Sequence, residues 1–213
     1  MDTRSHKVAQ YLLNANAVKL SPENPFTWAS GLRSPIYCDN RKILSYPEFR
    51  TSIKNYLAEK AMNVYSEVEV IAGVATAGIP HGVLLADALG LPFIYVRSKP
   101  KGHGLQSKIE GNVEAGKKVI VVEDLVSTGK SCLEAVESLR EAGLKTLGVL
   151  ALFSYQLDIA GSNFDNAKCR LETLTDYGTL IDVALAGELI SQEDMPTLLE
   201  WRKNPQRWSK SNQ

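Results

Sequence analysis

The run Val119-Ile120-Val121-Val122, entered from Lys118, constrains this chain more than any other segment. Consecutive apolar, β-branched residues describe a strand covered on both faces, as the strands of a parallel sheet are. Similar runs stand at Val68-Glu69-Val70-Ile71-Ala72, at Phe93-Ile94-Tyr95-Val96 and at Thr146–Phe153. Helical patterns lie between them. One is opened by Pro80 and stopped at Gly90, where Leu91-Pro92 follows. In another, Cys132, Ala135, Val136 and Leu139 fall at i, i+3, i+4 and i+7, with Gly143 as the closing C′ residue. Strand–helix–strand repeated in this way predicts an α/β fold: a central, mostly parallel sheet flanked by helices, with right-handed crossovers.

The 213 residues suit one domain. Its core is expected over about 46–170. The flanks differ in character: residues 1–45 hold a short amphipathic helix, Val8–Asn14, and a loop rich in Pro, Ser and Gly, while 175–208 carry two further helical patterns. Neither flank is large enough to fold alone, so about 1–45 and part of 170–213 are expected to form a small hood over one sheet edge. Lys plus Arg number 24 and so do Asp plus Glu, which leaves no basic surplus for binding nucleic acid. No apolar run approaches the length of a membrane span, and no apolar segment behind the polar N-terminus could serve as a signal peptide. Cys38, Cys132 and Cys169 show no metal-binding spacing and cannot all pair, which suits a reducing cytoplasm.

The chemistry is concentrated just after the first run. Glu123 and Asp124 are expected immediately past the strand end, at the carboxyl edge where open α/β sheets bind ligands. Leu125-Val126-Ser127-Thr128-Gly129-Lys130-Ser131 then turns into a helix. Backbone N–H groups from Ser127 to Ser131, the helix N-terminus and the hydroxyls together make a phosphate cradle. Two adjacent carboxylates beside it suit a pair of sugar hydroxyls, so the ligand class is a phosphorylated sugar. A nucleotide-triphosphate P-loop would need glycine five residues before Gly129, and position 124 is Asp. An acidic helix cap would explain a lone Asp124 or Ser127, but not the whole ordered segment.

A second element, Arg97-Ser98-Lys99-Pro100-Lys101-Gly102-His103-Gly104, puts a cationic group on every second residue. In an extended segment these share one face, and the glycines and proline make it a mobile loop. Alone, such a run is usually a solvated surface; beside a phosphate cradle a functional loop becomes the better reading.

Val119–Ser131 resembles the phosphoribosyl pyrophosphate (PRPP) signature of the type I phosphoribosyltransferases. That resemblance implies that Glu123 and Asp124 hold the ribose 2- and 3-hydroxyls, and that Leu125, Val126, Ser127, Thr128, Gly129, Lys130 and Ser131 bind the 5-phosphate. Arg97–Gly104 is similar to the catalytic lid of the orotate-using branch. Arg97, Lys99, Lys101 and His103 are thereby implied to contact PRPP. Lys101 would meet the charge of the leaving group and His103 would offer pyrophosphate a proton or hydrogen bond, with Asp124 counted beside them as catalytic. Phe26–Arg41 resembles that branch's base-site segment, where Tyr37 and Arg41 are the candidate orotate contacts, and Ser127 is implied on the orotate ring by its matching family position. Gly73–Pro80 resembles its pyrophosphate loop, with Thr76, Ala77 and Gly78 at the centre, and Ile109-Glu110-Gly111 falls where the lid rejoins the core.

The resemblance spans nearly the whole chain in order. It implies the type I phosphoribosyltransferase fold and Mg2+-dependent transfer of ribose 5-phosphate from PRPP to orotate. The ion would be held mainly through PRPP and water, and a homodimer would place each lid over the partner's site. Some positions depart from the enterobacterial pattern: Ser98 replaces a second lysine, Thr76-Ala77 replaces a Tyr-Lys pair, and two base-site cations fall on Ala29 and approximately on Tyr155. The orotate carboxylate therefore needs another partner. Arg41 ranks first and Arg33 second, with surface pairing of Arg41 to Asp39 or Glu48 as the alternative. His6, in a polar tail, and His81, at a helix start, read as structural. The rivals are transfer to xanthine, adenine or uracil, which the Phe26–Arg41 segment disfavours, and a non-catalytic PRPP sensor, which the intact lid disfavours.

Overall fold

The computed structural model describes residues 3–28, 30–99 and 108–212. Helix α1 (Thr3–Asn14) comes first, then four short strands: β1 (Val18–Leu20), β2 (Phe26–Thr27), β3 (Arg33–Ser34) and β4 (Ile36–Cys38). A 3-10 turn over Asn40–Ser45 leads to α2 (Pro47–Val64). The central region runs β5 (Val70–Val74), α3 (Gly78–Leu89), β6 (Phe93–Val96), β7 (Ile109–Glu110), β8 (Lys118–Val126), α4 (Lys130–Glu141) and β9 (Lys145–Ser154). It continues with α5 (Asp158–Asn166), β10 (Leu171–Asp176), α6 (Tyr177–Ala186), α7 (Met195–Lys203) and α8 (Pro205–Ser211).

Six strands form the main sheet in the order β10-β9-β8-β5-β6-β7. All neighbours are parallel except β7, which runs antiparallel to β6. Burial alternates strictly along β8: Ile120 and Val122 join one core cluster, Val119 and Val121 the other. Ile71 and its neighbours Val70 and Ala72 divide in the same way on β5, as do Leu150 and Val149 on β9. Both faces are thus covered, which is why the strands are apolar at every position and not every second one. Each such side chain contributes about 1.5–3 kcal/mol by its burial.

The chain reverses its direction of travel at β5. It first proceeds outward to β6 and β7, then returns to lay β8 on the other side. The crevice at the carboxyl ends of β5 and β8 is the topological switch point of the sheet.

Several boundaries differ from the sequence expectation. β8 runs on to Val126, so Glu123 and Asp124 lie within the strand and not past its end; continued pairing with β9, Glu123 with Ala151 and Leu125 with Phe153, carries it there. α3 starts at Gly78, two residues ahead of Pro80, because a proline in the first helical turn removes an N–H that has no intrahelical partner anyway. His6 lies in α1, which begins at Thr3, and not in a tail. The C-terminal flank folds into three helices, since Pro205 starts a new one that Asn204 caps by accepting the Arg207 N–H at 2.9 Å.

The two flanks meet each other. Ser5 Oγ donates to Thr175 Oγ1 at 3.1 Å, the Arg33 N–H donates to Ser209 Oγ at 2.8 Å, and the Trp28 and Trp201 rings stand edge to face at 5.9 Å.

Candidate active site

The crevice between β5 and β8 is walled on one side by the acid pair. Glu123 is 6% exposed. Its Oε1 accepts the Asp124 N–H at 3.0 Å, and Ser131 Oγ donates weakly to its Oε2 at 3.5 Å. Burial, and then the neighbouring Asp124, push Glu123 up to about 9. Asp124 is also raised by burial, while Glu123 and Arg41 pull it back down. Below about pH 9 the pair keeps a proton on Glu123, and its remaining oxygens can accept from a ligand's hydroxyls.

The facing wall is the turn after β5. Gly78 is required there, since a Cβ would overlap the Val122 carbonyl oxygen and lie 3.3 Å from Glu123 Cα. That close approach brings Thr76, Ala77 and Gly78 against the acid strand. The Ala75–Thr76 peptide bond is cis.

Ser127, Thr128 and Gly129 form the floor. Gly129 is the N-cap of α4 at φ +79°, and a Cβ on it would come 2.6 Å from the Phe164 ring. With glycine at this position α4 has no side-chain cap, so neither Asp124 nor Ser127 serves as one. The N–H groups of its first turn remain for a ligand. Asn163 Nδ2 on α5 braces the floor by donating to the Thr128 carbonyl at 2.9 Å.

The stem of the cationic loop borders the same crevice. Arg97, Ser98 and Lys108 share a small cleft with Val74, Ala75 and Ser131. Arg97 Nη1 pairs with Glu110 Oε1 at 3.3 Å, and Lys99 is exposed. Lys101 and His103 lie outside the described residues.

Beside the floor opens a pocket of about 200 Å3, lined by Trp28, Tyr37, Cys38, Leu125, Ser127 and Tyr155. The Trp28 and Tyr155 rings stack at 5.7 Å. Burial holds the Tyr155 phenol and the Cys38 thiol well above their ordinary values, so both are neutral. Tyr37 and Ser127 were expected here from the sequence. Trp28, Cys38 and Tyr155 were not named as contacts, although Phe26–Arg41 contains the first two and position 155 was marked as a departure. Asn40 was missed altogether. It is buried, donates from Nδ2 to the Asp124 carbonyl at 2.8 Å and accepts the Cys38 thiol at 3.0 Å.

Neither arginine ranked for the orotate carboxylate lines this pocket. Arg41 pairs with Asp39 at 2.7 Å and keeps 64% of its side chain exposed. Arg33 buries its Nε without a hydrogen-bond partner. His81 is buried on α3, and desolvation pushes it down to about 4, so it is a neutral core side chain.

Comparison with known proteins decides the family. Residues 39–183 match the model described as the phosphoribosyl transferase domain. Orotate phosphoribosyltransferase of Cytophaga hutchinsonii is 52% identical over 204 residues, covering 96% of this chain and 98% of that one. The enzyme of that name from Enterococcus faecalis is 52% identical, covering 96% of this chain and 97% of that one. The chain belongs to the orotate phosphoribosyltransferases. The crystal structure of the Aeropyrum pernix member superposes with a TM-score of 0.74 at 29% identity, covering 86% of this chain and 99% of that one. The fold is therefore that of the type I phosphoribosyltransferases, and the chain is a glycosyltransferase. Trp28 lies outside the matched 39–183, so the base-sized pocket joins the shared domain to its N-terminal flank.

Proposed function

We propose that this chain transfers ribose 5-phosphate from PRPP to a ring nitrogen of orotate, yielding orotidine 5′-monophosphate and pyrophosphate, as a step of pyrimidine nucleotide synthesis. The observation that carries this reading is the aromatic pocket of about 200 Å3 that opens at Ser127, next to the acid pair and the floor of α4. A flat base in that pocket and a phosphate on the α4 N-terminus would place the ribose over Glu123 and Asp124.

In the reaction the C1–oxygen bond to pyrophosphate breaks, a C1–nitrogen bond forms, and the proton of the orotate nitrogen passes to the departing pyrophosphate or to solvent. Glu123 and Asp124 accept from the ribose hydroxyls and orient C1. The N–H groups of Thr128 to Ser131 hold the 5-phosphate. Trp28 and Tyr155 fix the plane of the base, so the reacting atoms meet without a diffusive search. Arg97 and Lys99, with Lys101 and His103 beyond the described residues, would meet the charge that grows on pyrophosphate and exclude water.

Among the described residues no group of three or more His, Cys, Asp or Glu could hold a metal ion. Glu123, buried, and Asp124, half-buried beside it, are hard oxygen donors on adjacent residues, and would fit a Mg2+ ion carried in and held mainly through PRPP and water. When bound, the ion would neutralise charge on the departing pyrophosphate. The three free cysteines accord with a cytoplasmic setting, and among the described residues no helix is long and apolar enough to cross a membrane.

The test follows orotate absorbance with Mg2+ and PRPP present, with uracil and xanthine as alternative bases. Loss confined to orotate and dependent on PRPP is expected. PRPP binding without turnover of any base would make the chain a sensor.

A further inference from the structure

The chain leaves β9 through a residue in a rare conformation. Gln156 has φ +53°, in the left-handed region that residues with side chains seldom occupy. Its N–H donates to Ser154 Oγ at 3.0 Å. Its side-chain Oε1 accepts from the Gly178 N–H and from Arg202 Nη1, each at 3.2 Å. One donor comes from the start of α6 and the other from the end of α7. Gly178 permits the approach, since a Cβ there would itself stand 3.2 Å from Gln156 Oε1.

The residue before this turn is Tyr155, a wall of the base-sized pocket. Its N–H donates to the Val126 carbonyl at 3.0 Å, which fixes where the backbone leaves the sheet. The direction of its ring is set by packing, with Trp28 at 5.7 Å and Trp201 edge to face at 5.4 Å. Trp201 and Arg202 are consecutive on α7. One turn of that helix therefore touches Tyr155 with one residue and Gln156 with the next. Both residues lie beyond position 183, where the match to the shared domain ends.

We propose that Gln156 and Arg202 are positioning residues for the base: they clamp the turn after β9 so that Tyr155 presents its ring to the pocket. The identity of the base rests on the reading above; the clamp itself does not.

Four variants test it: Gln156→Leu, Gln156→Gly, Gln156→Glu and Arg202→Ala. Gln156 is exposed, so its variants should fold. Leu at 156 and Ala at 202 are expected to raise the orotate KM about three- to tenfold while kcat and the PRPP KM stay put. Glu at 156 keeps an acceptor for both donors and is expected to behave as wild type. Gly relieves the backbone but lacks the acceptor, and is expected to behave like Leu. Near-ultraviolet circular dichroism of the ligand-free protein reads the ring cluster of Trp28, Tyr155 and Trp201 without turnover. It is expected to weaken in the Leu, Gly and Ala variants only. Wild-type behaviour of the Gly variant, equal rises in both KM values, or an unchanged dichroism would each overturn the clamp. Absence of orotate turnover in the wild type would overturn the functional reading, and the dichroism would still decide the clamp.

Discussion

Asn40 Nδ2 donates to the backbone carbonyl of Asp124 at 2.8 Å, across 84 residues of sequence. The other end of the same amide accepts the Cys38 thiol at 3.0 Å. One buried side chain thus ties a wall of the base-sized pocket to the strand that carries the acid pair. The orientation is forced: only the NH2 end can face a carbonyl, and only the oxygen can take the thiol proton. Asn40→Leu keeps the volume but leaves both partners unsatisfied, at a cost of about 1–3 kcal/mol each where burial is complete. The expected outcome is a lower Tm with both KM values raised. Asn40→Asp should be worse, because it turns an acceptor toward the Asp124 carbonyl. Thermal melts and steady-state kinetics on the two variants check the order.

The acid pair gives the protein a pH signature. Glu123 is pushed up to about 9 from an ordinary 4.5. Between those values the folded state holds a proton that the unfolded chain releases, so stability falls as pH rises through this window. Glu123→Gln removes that dependence. At pH 8 the variant should melt higher than wild type, on the order of 5 °C, while losing most of its transferase activity. Melting curves from pH 5 to pH 9 test the sign: a wild type that gains stability over this range relative to Glu123→Gln would contradict the burial argument.

Gly78 sets the width of the crevice. A methyl group at this position meets the Val122 carbonyl, which is backbone in the middle of the sheet and cannot step aside. Gly78→Ala should cost about 1–3 kcal/mol and push the Thr76–Gly78 turn away from β8. The expected loss falls on the PRPP KM and kcat more than on the orotate KM, since the base-sized pocket lies on the other flank of Ser127. Kinetics with each substrate varied in turn measures this split.

The sequence made β5, β6, β8 and β9 legible because their central residues are apolar on both faces, but not β10, where Glu172, Thr173 and Thr175 break the apolar run, nor the two-residue β7; Glu123, Asp124 and the Ser127–Ser131 turn fall together because they are contiguous. The pocket is another matter. Trp28 and Tyr155 lie more than a hundred residues apart and meet only through the packing of the flanks on the end of β9. Periodicity carries no information on such a contact. The end of β8 was misjudged for a related reason: local residue type suggests a stop at charged Glu123, but pairing with β9 continues to Val126 and Ser154. Local propensity yields there to the ladder.

Arg41 separates a surface pair from a substrate contact. In the ligand-free protein it holds Asp39 at 2.7 Å with most of its side chain in solvent, a pair that contributes well under about 1 kcal/mol. Arg41→Ala should therefore leave Tm unchanged. If the guanidinium swings to the orotate carboxylate on binding, the orotate KM should rise about tenfold or more and the PRPP KM should not. Unchanged kinetics would remove Arg41 from the site and leave Arg33, whose buried Nε has no partner, as the next residue to substitute.

Whether the lid acts on its own subunit or on its partner can be read by complementation. Lys101→Ala removes a lid cation and Asp124→Asn removes an acid from the wall of the crevice; each alone should lower activity strongly. In a two-fold dimer whose lids cross, a mixed dimer contains one site with both residues native and one site with both changed. Random mixing makes half the dimers mixed, so about a quarter of the wild-type activity should return. If each lid covers its own subunit's site, every site in the mixture carries one defect and nothing returns. The experiment needs subunit exchange, which brief dilution and reconcentration supplies, and a light-scattering mass to confirm that dimers form. Recovered activity at the quarter level would establish that the lid crosses between subunits. A proper dimer mass with no recovery would place the lid over its own site, and a monomer mass would remove the dimer from the account.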